Sequence, residues 1–308
     1  MTNLHPGNQW KPDKPWHPLY PFDPNYHKLS AEKHISMHYL DEGPRTANRA
    51  VVMLHGNPTW SFYYRNLILA LRGDFRCIVP DHIGCGLSDK PQDYPYTLKQ
   101  HIDNLESLLD ALNLDEIDLV LHDWGGAIGM GAAVQKPKRV RRIVVLNTAA
   151  FLSSRIPFRI AVCKWPVLGA FAVRGLNGFA RAAIYMAVAH RERMSPEVRA
   201  GLLAPYNSWK NRIATLRFVE DIPMTPNHPS WQTLKDIDDS IAQFRDRPMW
   251  IGWGMKDWCF DASFLKTWME RFPKAEVERF DDAGHYVLED AHERIAPRVL
   301  EFLSRARQ

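Results

Sequence analysis

An aspartate stands where an apolar strand pattern runs into a helical one. Residues 117–121 read as a buried strand, and His122, Asp123 and Trp124 are followed by two glycines and further helix-compatible residues. A tight turn at this point would hold the Asp123 carboxylate out over the end of a sheet. The carboxylate is ionised at neutral pH, so it can attack carbon directly and form an ester that water then hydrolyses. The alternative is that Asp123 only caps the following helix, a common role for aspartate.

Hydrolysis of such an ester needs a base, and the base needs an acid to orient it. His285 follows the last predicted strand, in Asp-Ala-Gly-His-Tyr, and is the candidate base. Asp257 follows the preceding predicted strand, and Asp261 lies one turn further on. A carboxylate beside the histidine would fix its tautomer and stabilise its cation. We predict that Asp257 has this role and keep Asp261 as the alternative.

The surrounding elements must bring these residues together. Short apolar runs at 51–54, 77–80, 119–121 and 143–146 predict central strands, and 98–112 predicts a helix between two of them. Residues 34–40 alternate like an edge strand, and residues 151–244 read as helices with prolines. Strands are predicted again at 248–253 and 277–280, and a terminal helix is predicted after His292. This order resembles an α/β-hydrolase fold, class α/β, with a mostly parallel sheet and an inserted helical cap. The expected division is core 1–150, cap 151–244 and core 245–308. An N-terminal arm with Trp10, Trp16 and Tyr20 is expected to pack as an extended strap.

In that fold the strand–turn–helix around Asp123 corresponds to the nucleophile elbow, and the order nucleophile, acid, histidine also matches. The resemblance further implies backbone N–H donors for the developing charge from Asn57, in the His-Gly-Asn-Pro loop, and from Trp124. Both residues also carry side-chain N–H donors. The glycine-rich loop 81–91 is expected only to shape the backbone. The cap supplies aromatic residues expected to line an apolar substrate pocket, namely Trp165, Phe171, Phe179, Tyr185, Tyr206, Trp209 and Phe218.

Together, residues 55–58, 122–125, 254–257 and 284–285 resemble the haloalkane dehalogenases, in particular their third subfamily. The resemblance runs from about residue 34 to residue 303. It implies that Asp123 displaces halide from an alkyl carbon and that Asn57 and Trp124 bind the halide. It also implies that His285 and Asp257 drive hydrolysis of the ester.

Three alternatives stay open. Residues 61–67, 83–91 and 211–218 resemble the β-lactone decarboxylases of bacterial long-chain olefin biosynthesis, in which the same aspartate would attack the lactone and release carbon dioxide and a cis-alkene. Epoxide hydrolases share the elbow and would need cap tyrosines, for which Tyr185 and Tyr206 are candidates. A non-catalytic binding scaffold would be expected to lack a triad member, and none is missing from the sequence.

The composition of the chain argues against several classes of binding partner. The 308 residues carry a formal net charge of +4 with Lys and Arg dispersed along the chain, which argues against nucleic-acid or membrane-surface binding. The four cysteines form no CxxC pair and have no metal-ligand spacing, so we expect reduced thiols, no metal and no cofactor. No signal sequence or transmembrane segment is predicted. The expected protein is cytoplasmic and acts on a small apolar substrate, and a homo-oligomer is left open.

Overall fold

The computed structural model describes residues 14–30, 32, 34–45 and 49–305. Its centre is an eight-stranded sheet in the order β1-β2-β4-β3-β5-β6-β7-β8. Strands β1 and β2 are antiparallel to their neighbours, and the strands from β4 to β8 pair in parallel. The strands are β1 (Asn25–Ser30), β2 (Ile35–Glu42), β3 (Arg49–Leu54), β4 (Arg76–Pro80), β5 (Glu116–Asp123), β6 (Val140–Thr148), β7 (Met249–Gly254) and β8 (Glu276–Phe280).

Helices cover both faces of the sheet. The core helices are α1 (Arg65–Leu71), α2 (Leu98–Ala111), α3 (Trp124–Gln135), α10 (Ala262–Arg271) and α11 (Val287–Ser304). Between β6 and β7, where every residue is described, the regular elements are all helical. They include α4 (Phe158–Ala161), α5 (Leu168–Ala170), α6 (Gly178–Met186), α7 (Pro196–Leu203), α8 (Ile213–Glu220) and α9 (Trp231–Ser240), with a π-helical turn at Phe171–Gly175. Short 3₁₀ turns lie at His17–Leu19, Ser61–Tyr64, Val162–Lys164, Arg191–Arg193, Lys210–Arg212 and Ile241–Phe244.

The central strands are buried on both faces, as expected for parallel strands under helices. Strands β3 and β5 have almost no exposed residue. Their side chains alternate between two large apolar clusters, one on each face of the sheet. This rigid centre fixes the carboxyl ends of β3, β5, β6 and β7 side by side, which is the edge where ligands bind in open α/β sheets.

Three sequence expectations need correction. The predicted edge strand is β2, which lies between β1 and β4; the true edge is β1, whose half-exposed residues show no apolar alternation. The arm is not fully extended, since a 3₁₀ turn occupies His17–Leu19, although Trp16 and Tyr20 do pack into the core. Trp10 lies outside the described residues. The last helix begins at Val287, earlier than the predicted start after His292. Ala291 has non-helical dihedral angles and interrupts the helix, and the predicted helix corresponds to the part that follows Ala291.

No helix among the described residues is long and apolar enough to cross a bilayer.

Candidate active site

Asp123 occupies a strained turn between β5 and α3. Its backbone has φ 52° and ψ −126°, a region that non-glycine residues rarely enter. The Thr148 hydroxyl, at the end of β6, donates to the Asp123 carbonyl. The side chain makes no hydrogen bond that caps α3. The geometry therefore does not support the helix-cap alternative.

Two close backbone contacts require glycine. A Cβ on Gly56 would lie 1.9 Å from Asp123 Oδ1, and one on Gly125 would lie 2.0 Å from the Leu54 carbonyl oxygen. Real Cβ atoms do not approach other atoms so closely. Glycine at 56 thus lets the loop after β3 reach the carboxylate, and glycine at 125 lets α3 pack tightly on β3.

The loop after β3 brings a donor to Asp123. The Asn57 backbone N–H donates to Asp123 Oδ1 over 2.7 Å, and the Trp124 backbone N–H also bonds to the carboxylate. Burial raises the pKa of Asp123, while the charge of His285 and these two N–H groups act in the opposite direction. The carboxylate is buried, faces a cavity and has one oxygen held by the backbone.

His285 lies between two carboxylates. Its Nδ1–H donates to Asp257 Oδ2 over 2.8 Å, and its Nε2 lies 3.6 Å from Asp123 Oδ2. Burial lowers the pKa of His285, but Asp257, through its charge and hydrogen bond, and Asp123 raise it, with a net shift above the ordinary value. The His122 Nε2–H, from the end of β5, donates to the His285 carbonyl over 2.9 Å. The imidazole is thereby fixed in position and in tautomer.

Asp257 is the carboxylate that is hydrogen-bonded to the Nδ1–H of His285. Its Oδ1 accepts the backbone N–H groups of Cys259 and Phe260, and its Oδ2 accepts His285. Asp261 instead caps α10 through Ser263 and pairs with Arg155 at the surface. The geometry thus brings Asp257, and not Asp261, together with His285.

Sequence reasoning missed Asn147 as part of this site. It lies at the end of β6 with φ 35°, and its Nδ2 donates to Asp257 Oδ2 and to the Gly254 carbonyl, each over 3.0 Å. Its Oδ1 accepts the Gly254 N–H over 2.8 Å. A polar residue at the carboxyl end of a buried central strand was the signal that could have identified it.

A largely apolar cavity of about 640 Å³ opens above Asp123. Asn57, Trp124 and His285 reach its wall together with Asp123. Asn57 Nδ2 donates to the Thr215 carbonyl over 3.0 Å, which uses one of its two N–H groups. Apolar lining comes from both the inserted helices and the core, including Phe151, Ile160, Val173, Phe179, Met186, Val219, Leu234, Trp258, Phe260, Phe264 and Tyr286.

Most aromatic residues predicted for the pocket lie elsewhere. Of the seven, only Phe179 lines the cavity. Tyr206 and Phe218 are buried in the core, and the other four are exposed at the surface: Trp165, Phe171, Tyr185 and Trp209. Tyr185 and Tyr206, the candidates for an epoxide hydrolase, are therefore not part of the cavity lining. Tyr286, next to His285, is the tyrosine that lines the cavity.

The family profile of the α/β hydrolase fold matches residues 49–292. The chain is an α/β-hydrolase. This α/β-hydrolase is 48% identical to a cis-3-alkyl-4-alkyloxetan-2-one decarboxylase of Shewanella oneidensis over 292 residues, which cover 93% of the chain and 90% of that protein. It is 31% identical to haloalkane dehalogenase 2 of Mycobacterium tuberculosis over 287 residues, covering 92% and 96%.

Solved structures agree with the fold. The crystal structure of haloalkane dehalogenase DbeA from Bradyrhizobium elkani superposes with a TM-score of 0.82. The alignment covers 92% of this α/β-hydrolase and 98% of that chain at 23% sequence identity. At this identity the likeness supports the fold alone.

Proposed function

We propose that this α/β-hydrolase decarboxylates cis-3,4-dialkyl β-lactones, giving a cis-alkene and carbon dioxide. The proposal rests on one comparison. Identity to a protein named for this reaction is 48% along nearly the whole chain, against 31% to a haloalkane dehalogenase. The first expectation from the sequence was the dehalogenase, and the alternative named there is the better supported.

The first step uses the oxygen of Asp123 that faces His285. Asp123 Oδ2 attacks C4 of the lactone ring, and the C4–O bond breaks with its electrons on the released carboxylate. The product is an alkyl ester of Asp123, inverted at C4. Oδ2 suits this step because Asn57 holds Oδ1 and Oδ2 points toward His285.

The second step releases both products. The bond between C3 and the carboxylate breaks, its electrons form the C3–C4 double bond, and the ester oxygen leaves C4 as the Asp123 carboxylate. Inversion in the first step followed by anti departure of the two groups retains the cis relationship of the alkyl chains. No water is consumed, so Asp123 returns with its own two oxygens.

His285 would act in both steps as a cation. Its pKa is raised mainly through Asp257, after the opposing effect of burial, so the proton is retained to a higher pH than in free histidine. A positive charge 3.6 Å from Asp123 Oδ2 stabilises the carboxylate that departs from the ring and the aspartate that is expelled. The apolar cavity strengthens this electrostatic effect by excluding water.

The cavity suits a substrate with two alkyl chains. Its volume lies within the range of small-molecule sites, its lining is mostly apolar, and Asn57, Trp124 and His285 lie beside Asp123. The cavity walls leave the remainder of the substrate in contact with hydrocarbon and aromatic surface. Such a site would select for apolar chains and orient the ring by its polar end.

Dehalogenation is the second candidate, favoured by one observation. Asn57 and Trp124 line the cavity beside Asp123, and each carries a side-chain N–H that can bind a halide. In that reaction His285 would act as a base, and water would attack the ester carbonyl carbon of Asp123.

The two reactions differ in the fate of the Asp123 oxygens. The test offers a bromoalkane and a cis-dialkyl β-lactone separately in H₂¹⁸O, measures bromide and alkene, and then measures the mass of the peptide containing Asp123. If the enzyme decarboxylates the lactone, alkene forms and the Asp123 peptide contains no ¹⁸O. If it hydrolyses the bromoalkane, the Asp123 peptide acquires ¹⁸O from water after several turnovers. Label acquired during lactone turnover, or bromide release far faster than alkene formation, would contradict the proposal. Asp123→Ala is the control and should abolish both reactions.

A further inference from the structure

Exposed apolar side chains concentrate in the inserted helices. Among the described residues, nine large apolar side chains are strongly exposed, and Leu69 alone lies outside the inserted segment. The other eight are Phe158, Trp165, Val167, Leu168, Phe171, Leu176, Tyr185 and Trp209. Single exposed apolar residues need no explanation, but a concentration of this kind marks an interaction surface.

Seven of these residues form what we call the apolar cap patch: Phe158, Trp165, Val167, Leu168, Phe171, Leu176 and Trp209. Six of the seven fall within residues 158–176. Trp209 is distant in sequence but close in space, because its ring and the Phe171 ring both lie next to Gly175. A Cβ built on Gly175 would lie 3.3 Å from the Phe171 ring and 3.6 Å from the Trp209 ring. Val167 is 80% exposed and Phe158 76%, so the patch presents its side chains outward.

The segment that contains most of the patch carries charges of one sign in its sequence. Between residues 151 and 185 the sequence contains five basic residues and no aspartate or glutamate. Four of the five form no ion pair with a carboxylate in the part of the chain that the structure describes: Arg159, Lys164, Arg174 and Arg181. Only Arg155 does so, with Asp261. The chain as a whole carries +4 and no basic run, so the excess of basic charge in this segment is local. Arg174 lies over the Trp209 ring of the patch, whereas Arg159 lines the cavity. The nearest acidic influence on Lys164 and Arg174 comes from residues 220 and 221, outside the segment.

Residues next to the patch in the chain line the active-site cavity. Residues 155–163, which contain Phe158, contribute six residues to the cavity lining, and Ala172, beside Phe171, also lines the cavity. Alanines of α6, Ala182 and Ala183, line it on the next helix. The outer apolar surface and the cavity lining therefore belong to the same short segments.

We propose that the apolar cap patch docks this α/β-hydrolase on the surface of an anionic membrane. Aromatic and aliphatic side chains at the tip of a fold, ringed by Arg and Lys, are the combination that binds lipid interfaces, with the apolar groups among the headgroups and the cations near anionic lipids. Docking would bring the segments that line the cavity to the bilayer surface. A dialkyl substrate could then enter without crossing water, a consequence that rests on the proposed function, whereas docking itself does not.

Vesicle binding tests the docking without any turnover. The full chain is mixed with vesicles of phosphatidylcholine alone or of phosphatidylcholine with phosphatidylglycerol, and the bound fraction is measured by flotation. We expect binding to the anionic vesicles that weakens as salt is added. Trp165→Ser with Phe171→Ser should reduce it at least tenfold, and Arg181→Glu should reduce it on anionic vesicles. Leu69→Ser is the matched control, since it removes an exposed apolar residue from another surface, and it should bind as the wild type does.

Two further measurements keep the test decisive. Trp165→Phe conserves the apolar surface and should bind normally, with less fluorescence quenching by brominated lipid than the wild type shows. Turnover of a short-chain, water-soluble substrate should be unchanged in the Trp165→Ser, Phe171→Ser variant, because neither residue lines the cavity. Equal binding of all variants, or no binding to either vesicle, would overturn the proposal. A wild-type dimer that the double variant abolishes, without vesicle binding, would instead identify the patch as a self-interface and would also overturn it.

Discussion

Asn147 Nδ2 donates to Asp257 Oδ2 over 3.0 Å, so the last residues of β6 hold the acid that follows β7. The same oxygen of Asp257 accepts the His285 Nδ1–H. Asn147 also accepts the Gly254 N–H and donates to the Gly254 carbonyl. Position 147 therefore controls both the acid and the strand end that carries it.

We expect Asn147→Ala to lower kcat about tenfold to a hundredfold. A hydrogen bond to a charged group is worth about 1.5–3 kcal/mol, and each 1.4 kcal/mol corresponds to a factor of ten. The change should also shift the pH–rate profile, since Asp257, which raises the pKa of His285, loses a hydrogen bond that positions it. An altered melting temperature with an unchanged pH profile would mean that Asn147 only supports the fold.

Moving the acid provides a stronger test at the same place. Asp257→Asn should reduce the rate by up to about 10⁴, the loss known for a triad whose acid becomes an amide. Adding Asn147→Asp to that variant should recover part of the activity, because residue 147 already contacts the atom that His285 contacts. Asparagine and aspartate both tolerate the positive φ at this position. No recovery in a folded double variant would show that a carboxylate at 147 does not reach the imidazole.

Asp261→Asn should have little effect on turnover. Asp261 caps α10 and pairs with an exposed arginine, so the substitution should cost at most about 1 kcal/mol of stability. Steady-state kinetics with the favoured substrate and a melting curve measure the two effects separately. A loss of rate as large as that of Asp257→Asn would contradict the assignment of the acid.

Trp124→Phe should separate halide chemistry from lactone chemistry. It removes one side-chain N–H beside Asp123 and keeps an aromatic ring in contact with Phe218. Loss of a donor aimed at developing charge costs about 2.7–4 kcal/mol in an oxyanion hole, and a halide is a weaker acceptor. Bromide release should therefore fall by about a hundredfold or less, while alkene formation changes little. Asn57→Ala is less clean, because it also removes the bond to the Thr215 carbonyl.

Asp123→Asn should stabilise the fold, and more so at alkaline pH. Burial raises the pKa of Asp123 above its ordinary value of 3.8. The stability associated with that shift is complete below pH 3.8 and is lost as the pH rises through the folded-state pKa. Asparagine does not ionise and has no such loss. The free energy of unfolding of the variant should therefore exceed that of the wild type by about 0.5–2 kcal/mol at neutral pH. The gain should increase once His285 loses its proton and no longer offsets the aspartate charge. Melting curves across this range would contradict the argument if the wild type were equally stable at high pH.

The sequence predicted the fold and the proximity of Asp123, Asp257 and His285 better than it predicted the residues around them. Asp123, Asp257 and His285 each follow a strand, and parallel strands end at one edge, so their proximity followed from the element order. The orientation of the inserted helices did not follow, because helices of a few residues carry no clear apolar face; Phe171 and Trp209 therefore appear at the surface and not in the cavity. Strand β1 was missed because its residues are half-exposed and do not alternate.

The two oxygens of Asp123 are in different environments, and this bears on the fidelity of the reaction. Once an ester forms through Oδ2, Oδ1 becomes its carbonyl oxygen and stays bound to the Asn57 N–H. That is the arrangement that would also activate the ester toward water, with His285 adjacent. A decarboxylase built on this site must therefore outrun its own hydrolytic side reaction, which would give a β-hydroxy acid inverted at the carbinol carbon. The ratio of alkene to hydroxy acid would report how well the apolar cavity keeps water from the intermediate.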